Sequence, residues 1–281
     1  MFAQLPDWVF ASTRTEPALV VGLGIAAMLY GAGVTRLWRR AGVGSGITVW
    51  QAVAFATGLI TVGAALSPFL EAAASMLFSA HMLQHMLLAF VAAPLLAWSL
   101  SGLAFLWSMP APVRKNASQW WLKATGLRVF VAALTHPVTV WMLFALTFWL
   151  WHAPVMYEAA LASPVLHALE HAMMLGAAGL FWWLVLQPSG RRRLPHGAAI
   201  LFTVTTMLQG MVLSSLISFA NTPQYGTYVM SAEVLGISAL ADQQLAGMLM
   251  RTPATIILVV TSVWLFLVWI SQLERRDLEF G

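Results

Sequence analysis

His81-Met82-Leu83-Gln84-His85 lies near the start of an otherwise apolar run over residues 75–100. About 20 apolar residues at a rise of about 1.5 Å each cross a hydrocarbon core, so the run predicts a transmembrane helix. Imidazoles are costly to bury at that depth and are functional candidates wherever they occur there. Their i, i+4 spacing puts both on one helix face. The spacing recurs in His167-Ala168-Leu169-Glu170-His171, which opens a second apolar run. Four imidazoles can therefore converge on one point.

The rest of the 281-residue chain has the same character, with 60% hydrophobic and 9% charged residues and a mean hydropathy of +0.80. This composition excludes an ordinary soluble domain. Further apolar runs cover residues 17–37, 47–66, 135–151, 164–186, 197–219 and 253–270. With 75–100 they predict an all-α protein, a single seven-helix transmembrane domain over residues 1–281. The last span can begin earlier, near Ala239, with a kink at Pro253. Residues 1–15 carry no basic stretch ahead of the first apolar run. No cleavable signal peptide is expected, and the first span serves as an anchor.

Charge fixes an expected orientation. Arg36, Arg39 and Arg40 follow the first span, and Arg114, Lys115, Lys123 and Arg128 the third. Arg191, Arg192 and Arg193 follow the fifth, and Arg275 and Arg276 the seventh. These twelve of the fourteen Lys and Arg residues fall on one side, leaving only Arg14 and Arg251. That side is expected to be cytoplasmic, with the N-terminus outside and the C-terminus inside. Residues 101–127 set Trp107, Trp120 and Trp121 beside basic residues, as expected of a cytoplasmic connection lying in the interface. The same placement accounts for the net charge of +4 and the pI near 10.0 without a nucleic-acid partner.

In this orientation His81, His85, His167 and His171 lie near the outer face, joined by His152 and Asp242. His136 and His196 belong to the other side. The absence of cysteine excludes disulfides, thiolate zinc sites and iron-sulfur clusters. Imidazole suits copper, zinc, iron and nickel, and thioether favours cuprous copper. Met82, Met86 and Met248 are accessory candidates. Three chemistries compete at such a cluster. Copper would be held by imidazoles, with Met or Asp242 completing the shell. Zinc hydrolysis would use Glu170 as the base of an H-x-x-E-H pattern. Haem would need one axial His from each of two helices, but i, i+4 imidazoles lie about 6 Å apart, too close for two separate haems. Outside hydrolysis, Glu170 would orient an imidazole from behind.

These residues resemble the seven-span CtaG-type cytochrome c oxidase assembly factors of bacteria. The resemblance rests on His81-Met82-Leu83-Gln84-His85 followed by Pro94, and on Trp151-His152-Ala153-Pro154 with Tyr157. It also rests on His167 and His171, and on Asp242-Gln243 followed by Gly247 and Met250. It implies a multi-pass factor of the bacterial plasma membrane that is not an enzyme. Such a factor handles copper, as Cu+ or Cu2+, for a haem-copper oxidase, with subunit I or II and a periplasmic copper donor as partners. Homo-oligomerisation and the copper centre served are left open. Ala246 and Arg251 depart from the family pattern, and Arg251 offers Asp242 an ion-pair partner instead of a metal.

Overall fold

A computed structural model describes residues 17–186 and 194–280. Arg14, the basic run of Arg191, Arg192 and Arg193, and the N-terminal stretch read above lie outside the described residues. All regular structure among the described residues is helical. The helices are α1 (Pro17–Ala41), α2 (Val49–Ala65), α3 (Pro68–Met76), α4 (Phe78–Trp98), α5 (Ser101–Ser108), α6 (Ala111–Lys123) and α7 (Thr125–Leu134). They continue with α8 (Pro137–His152), α9 (Pro154–Ala162), α10 (Pro164–Leu186), α11 (His196–Ser218), α12 (Thr227–Val234) and α13 (Ala239–Phe280).

Five of these, α1, α4, α10, α11 and α13, are each long and apolar enough to cross a membrane. Two further crossings are bent pairs: α2 with α3, at 47°, and α7 with α8, at 60°. The chain is thus a multi-pass membrane protein of five to seven spans. Each bend has a cause in the sequence. Ser67 leaves the helical conformation, accepts the Leu70 N–H on its hydroxyl, and is followed by Pro68 at the first position of α3. His136 is extended because a residue before proline is pushed out of the helical region. The last span does begin at Ala239 and runs through Pro253 in one helix of 42 residues. At about 63 Å it is longer than any bilayer is thick.

The expected interfacial connection over 101–127 divides in two. Helix α5 packs on α1, where Gly33 meets the backbone of Ala104 so closely that a Cβ would collide with its carbonyl. Helix α6 has no buried residue. The main core joins α4, α8, α10, α11 and α13 through side chains such as Met82, Phe144, Phe148, Phe181 and Trp182.

Immediately after His85 the helix α4 widens into a π-turn over Leu87–Ala92. Here the Ala93 N–H reaches back to the Leu88 carbonyl. The next donor in the ladder belongs to Pro94, which has no N–H, so the Ala89 carbonyl would be left without a partner. The indole of Trp182 in α10 donates to it at 2.9 Å. Trp182→Phe keeps most of the packing and orphans that buried carbonyl. The expected cost is about 1–3 kcal/mol, read as a lower melting temperature in detergent.

Candidate metal centre

The helix ends that carry histidine meet at one end of the bundle. Residues His81 and His85 come from the first two turns of α4, His167 and His171 from the start of α10, and His152 from the end of α8. The i, i+4 pairs do share a face: ring centroids are 4.5 Å apart for His81 and His85, and 4.4 Å for His167 and His171. Across helices, His81 lies 5.2 Å from His167 and 5.7 Å from His171, and His85 lies 5.3 Å from His171 and 5.9 Å from His152.

The nitrogen atoms converge further than the rings. His81, His85 and His171 each offer one ring nitrogen within 4.8 Å of the other two, and all three residues are buried. The Nε2 atoms of His81 and His85 face each other at 3.0 Å. Two nitrogens on one tetrahedral ion, each at about 2.0–2.1 Å from it, lie about 3.3 Å apart. The pair is therefore spaced close to a chelating geometry.

Glu170 lies against this pair from α10. Its oxygens are 3.7 Å from His81 Nε2 and 3.5 Å from His85 Nε2, beyond hydrogen-bond range, with all three side chains fully buried. Both carboxylate oxygens lack a hydrogen-bond partner, as do Nδ1 of His81, Nδ1 of His85, Nε2 of His167 and Nε2 of His171. Buried polar atoms are almost always paired, and an unpaired one costs about 1–3 kcal/mol. Several such atoms on five neighbouring residues, beside the facing Nε2 pair, make a donor-rich pocket able to hold a cation. The donor set of several imidazoles, one carboxylate and no thiolate fits a divalent or monovalent first-row metal.

Glu71, which drew no attention in the sequence, completes the outer edge. Its Oε1 accepts from His167 Nδ1 at 3.1 Å, and its Oε2 from Gln84 Nε2 at 2.8 Å. Gln84 also donates to the Ala65 carbonyl, tying α2, α3 and α4 together. Because Nδ1 of His167 carries the proton, its Nε2 is left with a lone pair facing inward. One signal was available: Glu71 is the only carboxylate between residues 17 and 157.

His152 sits on the far side of His85. Its Nδ1 donates to the Phe148 carbonyl at 2.6 Å, and its Nε2 lies 3.3 Å from the sulfur of Met82. The Nε2 lone pair and the thioether thus face one another, both able to bind a soft metal. Above them is a lid of tyrosines. Tyr225 donates to the His152 carbonyl at 2.9 Å, Tyr228 to the Ala74 carbonyl at 3.0 Å, and the Tyr157 and Tyr228 hydroxyls meet at 2.8 Å. Burial raises the ionisation of all three phenols above the ordinary tyrosine value, so they stay neutral hydrogen-bonding groups.

Two expected site residues stand elsewhere. Asp242 does not join the imidazoles: its carboxylate accepts the N–H of Phe78 at 2.7 Å, the N–H of Ser79 at 3.3 Å and the Ser79 hydroxyl. It caps α4 from another helix. Nor is Arg251 its partner, since nine residues along one helix put them about 13 Å apart and half a turn out of phase. Met248 is 50% exposed on α13, whereas His81, His85 and His171 are buried. Met86 is buried in the main core. Of the two remaining histidines, His136 is exposed at the break before α8 and His196 begins α11.

Over residues 28–272 the chain matches the family model described as cytochrome c oxidase caa3 assembly factor (Caa3_CtaG). Among curated proteins it is similar to uncharacterized proteins of Mycobacterium bovis and Mycobacterium tuberculosis, each 26% identical over 285 residues, or 97% of this chain and 40% of the relative. An uncharacterized protein of Mycobacterium leprae is 26% identical over 279 residues, again 40% of its length. The chain thus spans about 40% of the length of the curated relatives it matches. No solved structure matches it.

Proposed function

The chain belongs to the cytochrome c oxidase caa3 assembly factor family, and from that premise we propose that it binds copper at the histidine cluster and hands it to an oxidase subunit. The observation that carries the reading is the convergence of buried His81, His85 and His171, with the carboxylate of Glu170 beside them and both of its oxygens unpartnered. Copper is cargo in this reading. His81, His85 and His171 hold it, His167 is steadied by Glu71, and Glu170 balances the charge. Met82 and His152 form a softer neighbouring position suited to cuprous ion. Transfer proceeds by ligand exchange, which imidazole and thioether permit more readily than thiolate would.

The orientation read from the basic connections sets the cluster at the periplasmic face of the bacterial plasma membrane. A soluble carrier then delivers copper from that side, and subunit I or II of a haem-copper oxidase receives it. The protein acts as an assembly factor and not as an enzyme. The test is direct. The protein, purified in mild detergent and exposed to copper, is expected to retain it on metal analysis by mass spectrometry and to show no Soret band. Retention of haem, or of zinc in preference to copper, overturns the reading.

A second reading has one observation in its favour. Glu170 lies beside His81 and His167, with ligand atoms within 4.8 Å of one another, and so stands close enough to a metal held by His167 and His171 to act as the base of a zinc hydrolase. Glu170→Gln separates the two. In the copper reading it lowers copper affinity about 10–100-fold, the range found for groups that orient or balance a metal shell. In the hydrolase reading it removes the general base and lowers ester or peptide turnover by about 10²–10⁴. Turnover by the zinc-loaded wild type that vanishes in the variant would establish the hydrolase.

A further inference from the structure

The end of the bundle opposite the histidines holds a second concentration of polar side chains, with different chemistry. The last turns of α1 bring Arg36, Arg39 and Arg40 to one side of a cavity of about 320 Å³, and Arg114 of α6 lines the other. Trp107 of α5 forms part of the wall, with the Arg114 guanidinium stacked over its ring at 4.1 Å and that of Arg40 at 5.9 Å. Three walls of the cavity are thus fixed to one another. The contact of Gly33 with Ala104 seats α1 on α5, and Arg36 donates to the Ser108 carbonyl at the end of α5.

Four guanidinium groups around one cavity repel each other unless an anion lies among them. None is supplied by the described residues. Glu71 is the only carboxylate between residues 17 and 157, and it is engaged with His167 and Gln84 at the other end. Among the described residues no carboxylate pairs with any of the four arginines, nor does any line the cavity. The cavity also lies where α1 leaves the apolar region and α6 exposes Trp120 and Trp121, the level at which headgroups begin. Forked guanidinium donors match phosphate oxygens in pairs.

We propose that this cavity binds the phosphodiester headgroup of an anionic phospholipid, with Arg39, Arg40 and Arg114 on the phosphate and Trp107 beside the glycerol end. Arg36 holds α5 in place. The bound lipid locks α1 to α6, two elements with no other polar link between them among the described residues. The site is independent of the metal centre, and α4 alone separates them by about 20 Å between His85 and Trp98.

The full chain in detergent micelles doped with phosphatidylglycerol or with phosphatidylcholine, analysed by native mass spectrometry, tests the assignment. The wild type is expected to retain phosphatidylglycerol over phosphatidylcholine. Arg39→Gln/Arg114→Gln is expected to weaken that retention about 30-fold, as two arginines near an anionic surface should. Lys115→Gln/Lys123→Gln removes the same charge from α6 outside the cavity and is expected to change retention little. Equal retention of both lipids, or equal loss in the two variants, overturns the proposal by reducing the arginines to a diffuse positive face. Displacement of the lipid by inorganic phosphate at low concentration overturns it also, reassigning the cavity to a soluble anion.

Discussion

A chain carrying alanine at both His81 and His85 is expected to lose copper retention by more than about 100-fold while staying folded in the membrane. The two imidazoles present facing Nε2 atoms at 3.0 Å and belong to the group of three converging rings. Removing both takes two of the three imidazoles of that group and leaves only the His167 and His171 pair of α10 beside Glu170. Two opposing terms set the stability. Deleting buried rings opens a cavity, at about 24 cal/mol per Å³. The same deletion removes two buried Nδ1 atoms that have no partner, each costing about 1–3 kcal/mol while present. The terms nearly cancel, so the metal-free variant should melt within about 2 kcal/mol of the wild type. Metal analysis and thermal melting of the same preparation check both halves. Copper retention unchanged in the variant would remove these residues from the site.

The cluster was legible in the sequence for a simple reason. Apolar runs with histidine pairs at helical spacing are conspicuous because nothing in membrane packing calls for them. The spans were legible for a similar reason, since length and hydropathy are properties of the chain itself. What the sequence did not carry was everything decided by a distant partner. Glu71 lies in a short helix beyond a bend, and only the turn at Ser67 and Pro68 brings it to His167. The π-turn after Met86 depends on an indole from α10 taking the carbonyl that Pro94 cannot serve. Pro94 was visible, but its consequence was not. Met248 shows the same limit, because proximity in sequence to Asp242 and Met250 said nothing of its 50% exposure on α13.

Asp242 takes a capping position in the structure, and the reason is instructive. An acid at the depth of the histidines looks like a ligand, whereas the clue to its role lay 164 residues earlier. Helix α4 begins after Leu77, which has no side chain able to cap it. The first N–H groups of a helix need acceptors, and these are buried beyond the reach of water. Asp242→Ala is therefore expected to cost about 3–5 kcal/mol. It orphans the N–H groups of Phe78 and Ser79 and the Ser79 hydroxyl, and it removes a negative charge from the positive end of the helix dipole. Asp242→Asn keeps one acceptor oxygen but turns an amide group toward the remaining donors, so it should recover only part of the loss. The metal-free protein decides between the two roles. A capping Asp242 lowers its melting temperature whether or not copper is present, and copper affinity then falls only because His81, one turn into α4, is held less firmly. A ligating Asp242 would leave the metal-free melting temperature alone and lower only the copper-bound one.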